Sequence, residues 1–311
     1  MPTPLFLILS KLIDFIKVLI NRPFDIKKCE FPLVSEYYSN KKEEEKEEEE
    51  KTIKARHKFY NLEIEEYSRH FILQGSIHVF WNLGKHNYND FYYNDIVSII
   101  QSLQNGFNIK LDEGQIINLE YGLNIPPPLL TTEIFLRGLI LHKGKPTFKD
   151  PKNHFEFKDS ATGGDYKQVR RQQFYLKYYD KAKHYGLTGQ QILRIETKYK
   201  KRNPLIKLGV NQLQDLLNIE ILKNLHNDLL KKWNEVLFIN QNINGKHLSK
   251  TIQNHLKDFK DKHFWIDLYK YSTKQQRQYY FSLLDDLNQF YGGNIKEEVK
   301  KALNQKFESL F

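Results

Sequence analysis

Cysteine is nearly missing from this chain: Cys29 is the only one in 311 residues. A single thiol builds neither a disulfide framework nor a cysteine-based zinc site within one chain. It fits a reducing, cytoplasmic setting, which is the localisation expected. Long uncharged apolar runs are missing too. The nearest approach, PLFLILSKLIDFIKVLI, is broken by Lys11, Asp14 and Lys17. A membrane span needs roughly 20 nearly uncharged residues. A secretory signal needs a basic leader and a small-residue cleavage site, and neither flanks this stretch. Residues 1–40 are therefore expected to pack on the body of the protein as an amphipathic helix or a helix–strand pair. Membrane-surface association is the competing reading, and no membrane partner is expected. No GxxxxGK[ST] loop occurs, which argues against a built-in ATPase or helicase. No solenoid-type repeat is present.

What is abundant is charge, unevenly spread. The formal total is +10. Residues 41–51, KKEEEKEEEEK, hold seven Glu and four Lys, a local −3 that leaves +13 on the remainder. A basic body suits a polyanionic partner, because cations that neutralise phosphates release counterions. An AT-rich genome, with its Lys, Asn, Ile, Tyr and Phe, produces the same excess by composition alone. The run at 41–53 has nothing apolar to bury and reads as a solvated, disordered linker.

The order of elements is legible from periodicity. NLEIEEY and RHFILQGSIHVFW alternate as strands joined by a short link, an antiparallel pair. Asn89 or Asp90 is expected to cap a helix to about Gln104, with Phe91, Ile96, Ile99, Ile100 and Leu103 at helical spacing. Phe107 to Leu111 suggests a short strand. IINLEYGLNI reads as a strand with Glu120, Gly122 and Asn124 on one face, stopped by Pro126 to Pro128. Thr131 or Thr132 caps a further helix to about His142, and 143–164 reads as loop. After Pro204 the period is helical, with an apolar stripe of Leu222, Leu225, Leu229, Leu230, Trp233 and Leu237 taken as core. The domains expected are 1–40, the acidic linker 41–53, an α+β domain at 54–203 and a helical part at 204–311.

The richest chemistry lies in 166–200, YKQVRRQQFYLKYYDKAKHYGLTGQQILRIETKYK, which reads as two strands and a short link. Alternation places Tyr175, Lys177 and Tyr179 on one face of the first, and Arg194 and Glu196 on one face of the second. Side by side these strands present hydroxyls, cations and a carboxylate, a combination suited to a phosphodiester. Glu120 and Glu196 stand in otherwise apolar strands, where a carboxylate is costly unless it is paired or bound to a metal. A salt bridge of Glu196 with Lys177 or Arg194 is the structural alternative. Lys198, Lys200, Lys201 and Arg202, interleaved with Tyr199 and joined by Arg170 and Arg171, resemble a nucleic-acid-binding edge in which tyrosine stacks on an unpaired base.

GSIHVFWNLGKHNYNDF, INLEYGLNI, QFYLKYYDK and ILRIETKYKK, in this order, resemble bacterial plasmid and phage replication proteins. Those in turn resemble filamentous-phage replication endonucleases and rolling-circle plasmid initiators. The resemblance runs from about Ile13 to the C-terminal region. It implies an enzyme that nicks one origin strand, through a tyrosine that stays joined to the 5′-phosphate, with help from a divalent metal. Carried over by position, it makes Tyr166 the first choice of nucleophile and Tyr179 and Tyr175 the runners-up. Arg170, Lys177, Asp180 and Lys181 fall in the family's block, and Arg194 and Glu196 in its Arg-x-Glu block. One departure stands out. No histidine–hydrophobic–histidine triplet occurs, so a metal site would draw on Glu120, Glu196 and a lone histidine such as His78, with Asn124 or His142 in reserve. Oxygen-rich ligands of that kind suit Mg²⁺ or Mn²⁺.

The fold expected is α+β, a central, mainly antiparallel sheet with helices on one face and a helical C-terminal part. The expected partner is origin DNA, with host helicase, host polymerase and a second copy of the chain as further candidates. Lys181, Lys198, Lys200, Lys201, Arg202, Arg170 and Arg171 are the expected DNA contacts. A non-catalytic DNA-binding adaptor of the same fold is the alternative.

Overall fold

The computed structural model describes residues 12–38, 52–144 and 166–311. The expectations for residues 1–11, for the acidic run 41–51 and for most of the 143–164 loop lie outside them.

The frame is one antiparallel sheet. Its strands are β1 (Ile13–Ile20), β2 (Val34–Tyr37), β3 (Ala55–Phe59), β4 (Leu62–Glu66), β5 (Phe71–Ser76), β6 (Gln115–Ile125), β8 (Tyr166–Arg170), β9 (Phe174–Asp180) and β10 (Leu193–Tyr199), with β7 (Leu139–His142) set apart. They are ordered β2-β3-β4-β5-β1-β6-β10-β9-β8. The N-terminal segment thus does more than pack on the body. Ile13–Ile20 is a central strand between β5 and β6, not a helix. The alternation of Ile16, Val18 and Ile20, all buried, drives this, since a period of two hides one face of a strand.

Four further expectations change. The stretch 71–80 is not all strand, because Ser76 caps a short helix α1 (Ile77–Trp81) by accepting from the Val79 amide at 3.1 Å. Helix α2 (Tyr93–Gly106) starts later than expected. Its cap is Tyr92, whose amide donates to Asp95 at 2.8 Å, while Asp90 holds Lys306 instead. Phe107 to Leu111 forms turns rather than a strand. Helix α3 (Thr132–Arg137), capped by Thr131, ends at Gly138, and β7 (Leu139–His142) follows.

One face of the sheet is covered. Helices α5 (Arg202–Lys207), α6 (Ile219–Asn234) and α10 (Ile295–Glu308) pack there against β6, and α2 joins the same apolar core. Trp233, fully buried, donates its indole N–H to the Lys296 carbonyl at 3.0 Å and ties α6 to α10. A second, smaller core joins β7 and β11 (Val236–Phe238) to helices α7 (Lys250–Lys260), α8 (Lys262–Tyr271) and α9 (Lys274–Phe290), around Phe259, Trp265 and Leu284. Position 204 does not divide the two cores. Residues 205–233 and 295–310 belong to the sheet's core, and the second core recruits Ile140 and Leu141 from before it.

Candidate functional site

The 166–200 stretch forms three strands rather than two. β8 and β9 make a hairpin, a short helix α4 (Lys181–His184) follows, and β10 returns against β9. Directly opposed residues on antiparallel strands share a face. On the face away from the large helices, three rows result: Tyr166–Tyr179–Arg194–Asn124, Gln168–Lys177–Glu196–Gly122 and Arg170–Tyr175–Lys198–Glu120. Tyrosines, cations and carboxylates expected from separate segments therefore meet on one surface.

The carboxylates are the centre of it. Glu196 Oε1 lies 2.8 Å from Lys177 Nζ, and its Oε2 accepts from Arg194 Nε at 2.9 Å. Glu120 Oε1 is 3.2 Å from Lys177 Nζ and 2.7 Å from Lys198 Nζ. The Lys198 ammonium also sits 4.8 Å above the Phe15 ring. Glu196 and Arg194 are almost fully buried, so this lattice is only weakly screened by solvent. Gly122 makes the approach possible. A Cβ built there would lie 2.3 Å from the Glu196 Cβ.

A third carboxylate comes from Asp14, which sequence reasoning missed as a site residue. Ile13 pairs with Tyr121 and Ile16 with Leu119, so β1 carries one extra residue there. That β-bulge sets Asp14 and Phe15 opposite Glu120 alone. Plain alternation would have put Asp14 on the core face with Ile16 and Val18. Carboxylate oxygens of Asp14, Glu120 and Glu196 lie within 4.8 Å of one another, all buried. Asp14 also accepts from Ser76 Oγ at 2.5 Å and from Asn87 Nδ2 at 2.9 Å. Asn87, from the HNYNDF block, accepts in turn from Lys181 Nζ at 2.6 Å and from the Tyr185 hydroxyl at 2.5 Å. The block and the YYDK helix thus form one rim of the site.

The tyrosines differ. Tyr166 stacks on Tyr179, with centroids 5.5 Å apart, and donates to Gln168 Oε1 at 2.7 Å. The Tyr179 hydroxyl is 3.5 Å from Glu196 Oε2. Tyr175 accepts from Lys200 Nζ at 2.7 Å, and its ring lies 5.3 Å from the Arg170 guanidinium. Burial pushes the Tyr166 and Tyr179 phenols well above their ordinary range; Lys177 acts the other way on Tyr166, and Arg194 and Lys177 do so on Tyr179. Burial alone would lower Lys177, but Glu120 and Glu196 outweigh it and keep it an ammonium.

Most of the remaining expected residues have partners of their own. His78 is on α1, fully buried, stacked on Phe91 at 4.6 Å and hydrogen-bonded to Asn89 at 2.8 Å. His142 lies on β7, with Arg171 at 3.0 Å from its Nδ1 and Glu235 at 3.3 Å from its Nε2. Lys181 is buried between the Tyr179 and Tyr185 rings. Tyr199, expected to stack on a base, points into the core and donates to Asp228 at 2.5 Å. The odd-even alternation of β10 puts it with Leu193 and Ile195. Lys200 and Lys201 are exposed, and Arg202 is half-buried and bonded to Asn211.

The donor set suits a hard cation. Three carboxylates, with no sulfur or imidazole among them, form an oxygen donor set of the kind hard divalent cations prefer. No protein-family model matches the chain, and no curated protein matches it. Among solved structures it is similar to a rolling circle replication initiator protein from Geobacillus stearothermophilus. That likeness has a TM-score of 0.42 and 10% identity, over 81% of this chain and 96% of that one. A likeness at that score carries no argument, so the function rests on the residues and their arrangement. Among the described residues no helix is long and apolar enough to cross a membrane.

Proposed function

We propose that this protein is a replication initiator that nicks and rejoins one strand of origin DNA through a tyrosine. The observation that carries the reading is the convergence of Tyr166, Tyr179, Lys177, Arg194, Glu120, Glu196 and Asp14 on one sheet face.

In the proposed reaction a tyrosine oxygen attacks phosphorus. A tyrosine–5′-phosphate ester forms, and the bond from phosphorus to the 3′-oxygen breaks. The phenol's proton leaves through a base, and the departing 3′-oxygen ends as a hydroxyl. Glu196, 3.5 Å from the Tyr179 hydroxyl, would take the proton if Tyr179 attacks; the Tyr166 hydroxyl donates to Gln168, so its proton would have to leave Gln168 for a nearby base or water. Lys177 and Arg194 offset charge that grows on the phosphate. Asp14, Glu120 and Glu196 would hold a divalent ion, which supplies Lewis-acid polarisation of a phosphate oxygen. Tyr166 is assigned the nucleophile's part because its position matches the initiator block, and Tyr179 is second because of its carboxylate. The half-buried Arg170 and exposed Lys200 border Tyr175 and, with the exposed Lys201, make a cationic, aromatic edge for single-stranded DNA.

A non-catalytic adaptor is the second reading. It is favoured by the ion pairing of Lys177, Lys198 and Arg194 with the same carboxylates, which a purely structural lattice would also show. Nicking of supercoiled DNA spanning the protein's own gene, with Mg²⁺ or Mn²⁺, separates the two. The catalytic reading expects open circles from the wild type and a loss of at least ~100-fold in Glu196→Gln, the scale of one acid–base group. Binding without nicking under both metals would leave the adaptor.

A further inference from the structure

The carboxylate triad already holds a cation of its own. Lys177 Nζ lies between two of the three proposed metal ligands, 3.2 Å from Glu120 Oε1 and 2.8 Å from Glu196 Oε1. An ammonium and a divalent ion compete for the same oxygens. Charge adds to the conflict. Asp14, Glu120 and Glu196 bring three negative charges, Lys177, Lys198 and Arg194 bring three positive ones, and the buried Lys181 adds a fourth at the rim through Asn87. A divalent ion entering this set, which carries no net negative charge, leaves a buried excess of positive charge unless a cation withdraws.

The three cations are not equally free to withdraw. Arg194 is 0% exposed and reaches both Glu196 and Asn124. Lys198, 26% exposed, touches only Glu120 among the triad and sits over the Phe15 ring, so its departure would not clear the position between Glu120 and Glu196. Lys177 bridges two carboxylates, keeps 13% of its side chain exposed, and carries its charge on a flexible four-carbon stem.

We propose that Lys177 is a tethered counter-cation occupying the metal position, and that a divalent ion binds only as its ammonium swings out. The inference rests on the proposed metal ligands. It adds that the lysine sets the metal affinity and gives up its place on binding. Once released, the ammonium is available to an incoming phosphate, so metal entry and substrate arrival favour one another.

The test is a Mn²⁺ titration of the full chain near neutral pH, read by the loss of the free-ion electron paramagnetic resonance signal. Lys177→Met is expected to bind Mn²⁺ ~10-fold or more tighter than the wild type, within the usual range of coupling between two sites. Lys177→Arg, which keeps the charge, is expected to show no gain, and Glu196→Gln added to Lys177→Met is expected to abolish it. Wild type and Lys177→Met binding with equal affinity would overturn the lysine's role and leave the metal site standing. No Mn²⁺ binding by either would overturn both. If Lys177→Met does not fold, ¹⁵N-lysine NMR of the wild type replaces it, with Lys177→Arg identifying the signal. The Lys177 ammonium resonance is expected to shift and broaden as Mg²⁺ saturates the protein. A resonance unchanged at calorimetric saturation would overturn the proposal.

Discussion

At the residue scale, one glycine decides whether the site closes. Gly122 faces Glu196 across β6 and β10, and a methyl group there would meet the Glu196 Cβ at 2.3 Å and the Ile195 carbonyl at 2.5 Å. Neither atom is the end of a flexible chain. Gly122→Ala is therefore expected to push β10 from β6 and to cost on the order of 1–3 kcal/mol, the usual cost of overpacking. Urea unfolding measures it, and a midpoint equal to wild type would show that the strands have slack. Gly122 was legible as a face-mate of Glu120 from the alternation in INLEYGLNI. Its role was not, because a close approach depends on which strand lies alongside. Asp14 was illegible for a related reason. Ile16, Val18 and Ile20 alternate as one apolar stripe on its side of the strand, and only the bulge against β6 turns the carboxylate to the other face.

Strands with strong alternation, such as β6 and β10, were readable because each face meets one environment throughout. The β8–β9 hairpin was not, since RRQQ carries neither glycine nor proline to mark its turn. Nor was the break of the predicted 131–142 helix into α3 and β7 at Gly138. A methyl group there would lie 2.6 Å from the Phe238 ring, so the contact with the strand β11 requires glycine. That β7–β11 element predicts a pH dependence. Burial, then the neighbouring Arg171, lowers His142 from its ordinary value to about 4. The folded state keeps the imidazole neutral, whereas the unfolded chain protonates it near pH 6.5. Below that pH the unfolded state binds the extra proton, so stability is full above about pH 6.5 and falls as pH drops toward about 4, by up to about 3 kcal/mol. Denaturant midpoints of wild type and His142→Gln across this window check it. A wild-type profile no steeper than the variant's would contradict the assignment.

For the whole molecule, the sheet's two faces divide the work. The side bearing Leu119, Tyr121, Leu123 and Ile195 is buried under α5, α6 and α10 and supplies the apolar contacts that hold the fold. The opposite side spends its buried area on charges, which are poor stabilisers and costly when one partner is lost. The α+β class, with its antiparallel sheet, was legible in the sequence because alternating strands occupy its first two thirds. The second core was not, since Ile140 and Leu141 join it from far upstream of the helices they touch.

On the proposed reading the charged face cleaves DNA through a tyrosine. The direct measurement is mass spectrometry of peptides from the protein after reaction with supercoiled DNA carrying its own gene and flanks, with Mg²⁺ or Mn²⁺ present. A nucleotide joined by its 5′-phosphate to the peptide containing Tyr166, and absent in Tyr166→Phe, is the predicted result. The same adduct on Tyr179 or Tyr175 would keep the function and move the nucleophile. DNA bound, with no tyrosine carrying a nucleotide under either metal, would contradict the claim.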